Sequence, residues 1–504
     1  MSAATAAYAE LERRFRRLAN IGGASSVLHW DWATMMPEGG ANARSDQLAE
    51  LSVISHELIT DPRLDELLGR AESETRALDD WQRANLREMR HRQRHAAGVP
   101  PDLVEALSKA SAKCEMVWRE AKPKGDFKAF AESFTPLLGL VREKAAAKGA
   151  ALGLAPYDAL IDAFDPGYTV KEIDRIFAEL EAFLPNVLAR ALARQDQLPQ
   201  PLKLEGRFPI PAQRALAEQL MGRLGFEFAH GRLDVSLHPF CGGVPEDVRI
   251  TTRYAESGFA SALMAVLHET GHALYERGLP EAWRLQPVGE ARGMSVHESQ
   301  SLLIEMQACR SLEFLAFAAP LIREAFQAHA PVDGAAFEPA NLYAHSIRVK
   351  ADFIRVDADE VTYPFHILLR YRLEKDLLSG ALKVADLPDA WNAGMKRHLG
   401  IVPPSATLGC LQDIHWTGGD LGYFPSYTLG AMTAAQLFDA AKRAELDLLP
   451  GIARGDFAPL LGWLRRNVHG LGSLYDSREL VTRATGKPLD PLVFKAHLER
   501  RYLG

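Results

Sequence analysis

The sequence has only four cysteines, Cys114, Cys241, Cys309 and Cys410, far apart and with no C-x-x-C pair among them. Such spacing argues against a disulfide scaffold or a cysteine-ligated metal and fits a reducing cytoplasm. An uninterrupted apolar run of about 18 residues, the length of a membrane span, is also missing. The first twenty residues, MSAATAAYAELERRFRRLAN, read as an amphipathic helix charged throughout, without the apolar core of a secretory signal. There is no basic excess: 58 Lys and Arg against 65 Asp and Glu leave a net charge of -7, so neither nucleic acid nor an anionic membrane is an expected partner. Long repeats, low-complexity tracts and charge runs are absent as well.

What remains is an ordinary globular composition, 47% hydrophobic and 24% charged, on a chain long enough to bury a large core. Apolar residues recur at spacings of three and four in stretches such as VKEIDRIFAELEAFLPNVLARALARQ, which predicts a mainly helical protein. The clearest break is DQLPQPLKLEGRFPIP, where Pro199, Pro201, Pro209 and Pro211 exclude a continuous helix. We read 196–211 as a loop joining an N-terminal helical half, 1–195, to a catalytic half, 212–504, within one integrated unit. RLDVSLH at 232–238 and DVRITTRY at 247–254 are rich in β-branched residues and near-alternating, as strands are, with PFCGGVP as the turn between them.

The stretch SALMAVLHETGHALYERG carries His268-Glu269-x-x-His272. Residues four apart on a helix share a face, with Cβ atoms about 5–6 Å apart. Two imidazoles so placed can bind one tetrahedral zinc, and the adjacent glutamate reaches the water it activates. Among 16 histidines the pattern arises by chance on the order of a few times in a hundred. Gly271 costs this helix on the order of 1 kcal/mol relative to alanine, which makes sense if something approaches the backbone there. A catalytic zinc needs a third protein ligand. Glu276 is eight residues from His268, about 80° around the helix and 12 Å along it, and is excluded. The segment GMSVHESQSLLIEMQACRSLEF offers Glu298, with His297 as a rival and Glu290 a weaker one; Ser295 and Glu298 also have the spacing of a helix capping box.

HPF at 238–240, DVRIT at 247–251, HETGH at 268–272, HESQS at 297–301, IRVDAD at 354–359, GCLQDIHW at 409–416 and GYFPSYTLG at 422–430 occur in this order, with WDWATMMPEGG from Trp30 near the start. The set resembles the carboxypeptidase Taq family of zinc metallocarboxypeptidases and spans essentially the whole chain. The resemblance implies a mainly α fold: a two-lobed helical body with a deep central groove and a small β-sheet beside the metal-binding helix, like that of the angiotensin-converting-enzyme and neurolysin group. It implies a metal-dependent carboxypeptidase of broad specificity that removes C-terminal residues one at a time, cytoplasmic and homodimeric. By it, His268, His272 and Glu298 hold the metal, zinc by default with cobalt or manganese as substitutes, and Glu269 is the base. A zinc oligopeptidase of the same architecture and a non-catalytic helical scaffold are the competing readings.

His415 and Tyr423 are the implied oxyanion donors, with Tyr427 an alternative to the tyrosine. Exopeptidase action needs a group for the free terminal carboxylate, and an arginine fork suits it. The family's I-R-x-x-A-D pattern occurs twice, as IRVKAD at 347–352 and IRVDAD at 354–359. On a helix Arg348 and Arg355 would share a face about 10.5 Å apart. Only the second copy runs on as the family motif does, which assigns the clamp to Arg355, with Arg249 an alternative. Asp247 and Arg249 fall on one strand face and are expected to pair, with Asp247 a candidate to orient a metal histidine. His238 is read as shaping a turn, Cys241 as a buried thiol, Asp31 as a helix cap, and Met35 and Met36 as packing.

Overall fold

A computed structural model describes residues 5–329 and 334–504 of the chain. Apolar spacing of three and four resolves into helices almost throughout, with one small sheet. The polar ends behave as helix ends should: Thr169 accepts from the Glu172 amide at the start of Val170–Gln197, and Asp79 with Gln82 closes a capping box ahead of Asp80–Ala97.

The proline-rich stretch is a loop between the Val170–Gln197 and Ile210–Leu224 helices. One large apolar core takes residues from both sides of that loop: Phe134, Leu180 and Val187 before it, Phe365, Trp391 and Phe494 after it. A second gathers Leu220, the sheet residue Ile250, Val266, Leu274, Phe314 and Trp463. The Pro425–Ala444 helix lies between the two, giving Leu429 and Met432 to the first and Leu437 and Phe438 to the second. A smaller cluster holds the N-terminal helices together through Tyr8, Leu11, Leu68 and Met89.

The sheet has three strands where the sequence suggested two: β1, Gly231–Val235; β2, Cys241–Val244; and β3, Asp247–Thr252. β3 is central, parallel to β1 and antiparallel to β2. The first strand stops short of residue 238 because Ser236 turns the chain, its hydroxyl bonding the His238 carbonyl at 2.5 Å and Thr251 Oγ1 at 2.7 Å. β2 lies inside PFCGGVP, whose two glycines hide any strand pattern, since glycine has no side chain to alternate. Its outer edge is covered by the first helix, Ala6–Thr34: Ser26 Oγ accepts from the Gly243 amide at 2.9 Å and donates to its carbonyl.

On β3, Arg249 pairs with Asp247 at 2.6 Å and lies over the Trp30 ring at 4.4 Å, so Asp247 is spent on its strand neighbour and does not orient a metal histidine. Asp31 is not a cap; it sits within the first helix and pairs with Arg44 at 2.6 Å. Met35 is 57% exposed and fills no core, and Cys241 is only partly buried.

Gly271 explains itself in the packing. A Cβ there would fall 2.5 Å from the Gln300 carbonyl oxygen and 2.6 Å from Ser301 Cα, so only glycine lets the Ala260–Gly278 and Met294–Leu302 helices meet backbone to backbone. We expect Gly271→Ala to destabilise the fold by at least the about 1–3 kcal/mol typical of overpacking, read as a fall in the urea midpoint. Because the two helices carry different metal-ligand candidates, the same change should lower metal affinity.

Candidate metal centre

The Ala260–Gly278 helix is largely buried, and its 268 and 272 positions stand on one face as the four-residue spacing requires. The two imidazoles lie with ring centroids 5.0 Å apart. Glu298, from the Met294–Leu302 helix, brings its Oε2 to 3.8 Å from His268 Nε2 and 3.5 Å from His272 Nε2. Two imidazole nitrogens and one carboxylate oxygen therefore face one point, all within 4.8 Å of one another. Two histidines and a carboxylate with an open fourth position is the donor set of a catalytic divalent-metal site, and these residues fit it.

The backs of both imidazoles are occupied, which fixes which nitrogen faces the centre. His268 Nδ1 meets Glu305 Oε2 at 3.0 Å, and Glu305 in turn takes Arg310 at 2.6 Å. His272 Nδ1 lies 2.6 Å from His297 Nδ1, and His297 Nε2 lies 2.8 Å from Glu276 Oε1. The rival ligand His297 is thus a support for His272, and Glu276, excluded as a ligand, supports His297. Outer partners of this kind set tautomer and ring orientation in metal sites. Glu290 is turned away into an ion pair with Arg92.

Ser295 and Glu298 do not form a capping box. The Ser295 amide and hydroxyl both bond Asp165 Oδ1, at 2.7 and 2.6 Å, while Asp165 Oδ2 takes the Ser426 hydroxyl at 2.5 Å. This buried aspartate ties the Glu298 helix to Pro425–Ala444 and leaves the Glu298 side chain free to face the histidines. Gly430 allows the approach, since a Cβ there would sit 2.9 Å from Glu298 Cβ. After Leu302 the helix continues as a π-turn, Leu303–Ala308, which holds Glu305; such turns recur at functional sites.

The charges are strongly coupled. Burial opposes ionisation of Glu298, but His268 and then His272 outweigh it and hold the carboxyl at about 2. Burial pulls His268 down, yet Glu298 and Glu305 outweigh it and hold the ring at about 10; burial takes His272 to about 4. Glu269, beside them and buried, is lifted to about 7 mainly by desolvation. A carboxyl poised near neutrality next to a metal site is what a general base requires.

His268, Glu269 and Glu298 open onto a cavity of about 700 Å³ whose walls include Leu302, Met306, Arg348, Arg355, Tyr363 and Tyr427. Residues 348–359 are not helical apart from one 3-10 turn at Arg355–Asp357, so the shared helix face expected for the two arginines does not exist. Their environments differ sharply. Arg355 is buried, its Nε on Asp413 at 3.0 Å and its Nη1 on the Tyr363 hydroxyl at 2.6 Å, and it lies 4.7 Å over the Tyr427 ring. Asp413 is shared with the fully buried Arg370. Arg348 is exposed on the cavity wall and has no ion-pair partner among the described residues. Arg249, bound to Asp247 on the sheet, does not line the cavity.

Of the aromatic candidates, Tyr427 lines the cavity, and its hydroxyl lies 3.1 Å from His415 Nε2. Burial, then Arg355, lowers His415 to about 4, so it is neutral at pH 7. Tyr423 does not line the cavity; its ring packs edge-on against Phe164 at 5.0 Å and beside Tyr427 at 5.3 Å. Sequence reasoning missed Glu305, Asp413 and Asp165. Glu305 had a signal, being seven residues after Glu298 and so on nearly the same helix face. Asp165 had none.

The carboxypeptidase Taq (M32) metallopeptidase family model matches residues 10–502. Thermostable carboxypeptidase 1 of Thermus thermophilus is 39% identical over 507 residues, covering 99% of this chain and 98% of that protein. Carboxypeptidase 1 of Bacillus subtilis is 34% identical, covering 97% and 96%. Among solved structures, Trypanosoma cruzi metallocarboxypeptidase 1 superposes with a TM-score of 0.96 at 40% identity over 99% of both chains, and a Pyrococcus furiosus carboxypeptidase with 0.94 at 34% identity over 100% of both.

Proposed function

The chain belongs to the carboxypeptidase Taq (M32) family and is a metal-dependent carboxypeptidase, and from that premise we propose that His268, His272 and Glu298 hold one zinc ion while Glu269 does the proton transfer. The observation that carries this reading is the convergence of three donor atoms on one point beside a buried carboxylate. Zinc suits two imidazoles and a carboxylate; cobalt or manganese can take the same place. When bound, the ion supplies Lewis acidity, lowering the pKa of a water and polarising the scissile carbonyl.

The protein's own groups do the rest. Glu269 removes a proton from the attacking water and returns it to the leaving amine. The Tyr427 hydroxyl, on the cavity wall with His415 behind it, is the better placed donor to the tetrahedral oxyanion, and we prefer it to Tyr423. The terminal carboxylate goes to Arg348, because its guanidinium is uncommitted and on the wall, whereas Arg355 has two nitrogens spent. Arg355 instead holds Tyr363 and lies against Tyr427. The homodimer and the cytoplasmic location implied by the resemblance belong to the same proposal; four free cysteines agree with a reducing compartment.

The His268 proton gives a direct test. Without an ion the ring is held at about 10, so at pH 7–9 it is protonated, while His272 is already neutral and Glu298 ionised. An ion must expel that proton, so affinity rises with pH over this range. Titrating the metal-free protein with zinc at pH 8 in buffers of different ionisation enthalpy should show at least one proton released per ion, the His268 proton plus any that the ion draws from its water. Release that persists unchanged in His268→Ala would remove His268 from the ligand set.

A further inference from the structure

The helix Asp80–Ala97 carries a second pair of histidines four apart, His91 and His95, and both turn Nε2 toward the same oxygen, Asp162 Oδ2, at 2.7 and 2.9 Å. Asp162 ends the short helix Pro156–Asp162, and its other oxygen is taken by the Gly167 amide at 3.1 Å. The imidazoles lie with centroids 4.5 Å apart, and the three donor atoms lie within 4.8 Å of one another, partly buried. None of these residues lines the substrate cavity.

From this geometry we propose that His91, His95 and Asp162 form a second divalent-metal site, separate from the substrate cavity, taking an ion of the zinc class. Two imidazole nitrogens exclude magnesium and calcium, which take oxygen donors. A tetrahedral shell with bonds of about 2.0–2.1 Å places donors roughly 3.3 Å apart, so loading asks each histidine to retreat from Asp162 by about half an ångström. The fourth position goes to water.

Lys148 opposes the ion. Its ammonium lies 3.2 Å from His95 Nδ1, so in the ion-free arrangement it donates there while His95 Nε2–H donates to Asp162. When Nε2 binds a metal, Nδ1 must carry the proton, and Lys148 has to turn away or give up its own. A glutamine at 148 would offer a carbonyl acceptor instead.

The site would act as a clamp. It joins the N-terminal helix Asp80–Ala97 to the segment that reaches, three residues later, Asp165 and its bonds to Ser295 and Ser426. The ion would tie these two segments together without touching substrate.

The test is zinc stoichiometry by equilibrium dialysis and elemental analysis of the full chain. Wild type should bind two ions, Asp162→Asn and His91→Gln one each with peptidase activity kept, and His272→Ala one. Lys148→Gln should bind the second ion at least tenfold more tightly. One ion in wild type falling to none in His272→Ala would overturn the proposal, as would a second ion that survives both Asp162→Asn and His91→Gln. Circular dichroism of each variant separates loss of the site from loss of the fold.

Discussion

Glu269→Gln should retain the fold and the metal while losing about 10²- to 10⁴-fold in kcat, the range that a positioned general base supplies. The substitution is close to isosteric, and the site loses only a proton acceptor. Among the described residues the Glu269 side chain makes no hydrogen bond to a metal-ligand candidate; it is set beside His268 in a buried position that lifts it to about 7. Glutamine needs no such desolvation, so stability should hold or rise slightly. Metal content measured on the same sample makes the result interpretable. If kcat survived with metal bound, the base would have to be another group, although Glu305, the buried carboxylate beside His268 on the cavity wall, is committed to His268 and Arg310.

The two arginines differ in which substrate their loss affects rather than in the size of the loss. Arg348→Ala should reduce kcat/KM by about 10² on peptides with a free C-terminus, corresponding to about 3 kcal/mol for a charged pair at a binding site. On a substrate whose terminal carboxylate is blocked it should change little. Arg355→Ala should fall on both substrates and lower stability, because Asp413 would be left against Arg370 alone and Tyr363 and Tyr427 would lose their support. Removing one partner of a buried pair typically costs about 3–5 kcal/mol. The two variants assayed side by side on a peptide and its amide decide the assignment: selective loss in Arg355→Ala with none in Arg348→Ala would reverse it.

The sequence made the metal helix legible because its chemistry is local: spacing of four on a helix sets two imidazoles together whatever the rest of the fold does. Glu298 was reachable only among rivals, since His297 is its neighbour and spacing cannot say which of two adjacent residues turns inward. The answer lies in Asp165, 130 residues before Ser295, whose bonds to the Ser295 amide and hydroxyl take the place of a Glu298 cap. Contacts of that separation leave no periodic trace. The loop carrying both arginines shows the opposite failure. IRVKADFIRVDAD has a helix-like repeat, yet its backbone is satisfied by side chains: Val349 N by the distant Gln195, Arg355 N by the distant Gln412 and Lys350 N by Asp359 at the end of the same stretch. Spacing argued on a helix that does not form put Arg348 and Arg355 in equivalent places, when one is an exposed cation and the other is buried in an ion pair. β2 was hidden for a simpler reason, having two glycines among its four residues.

In the proposed reaction this cavity removes residues from a free C-terminus with the metal held by His268, His272 and Glu298. The most direct measurement is mass spectrometry over time of a mixed-sequence peptide and its C-terminal amide, incubated with the protein before and after chelation and after zinc is restored. Expected is a ladder of products shortened one residue at a time from the C-terminus of the free peptide, abolished by chelator and recovered with zinc, with the amide cleaved about 10²-fold more slowly. Internal fragments formed equally from both peptides would contradict it.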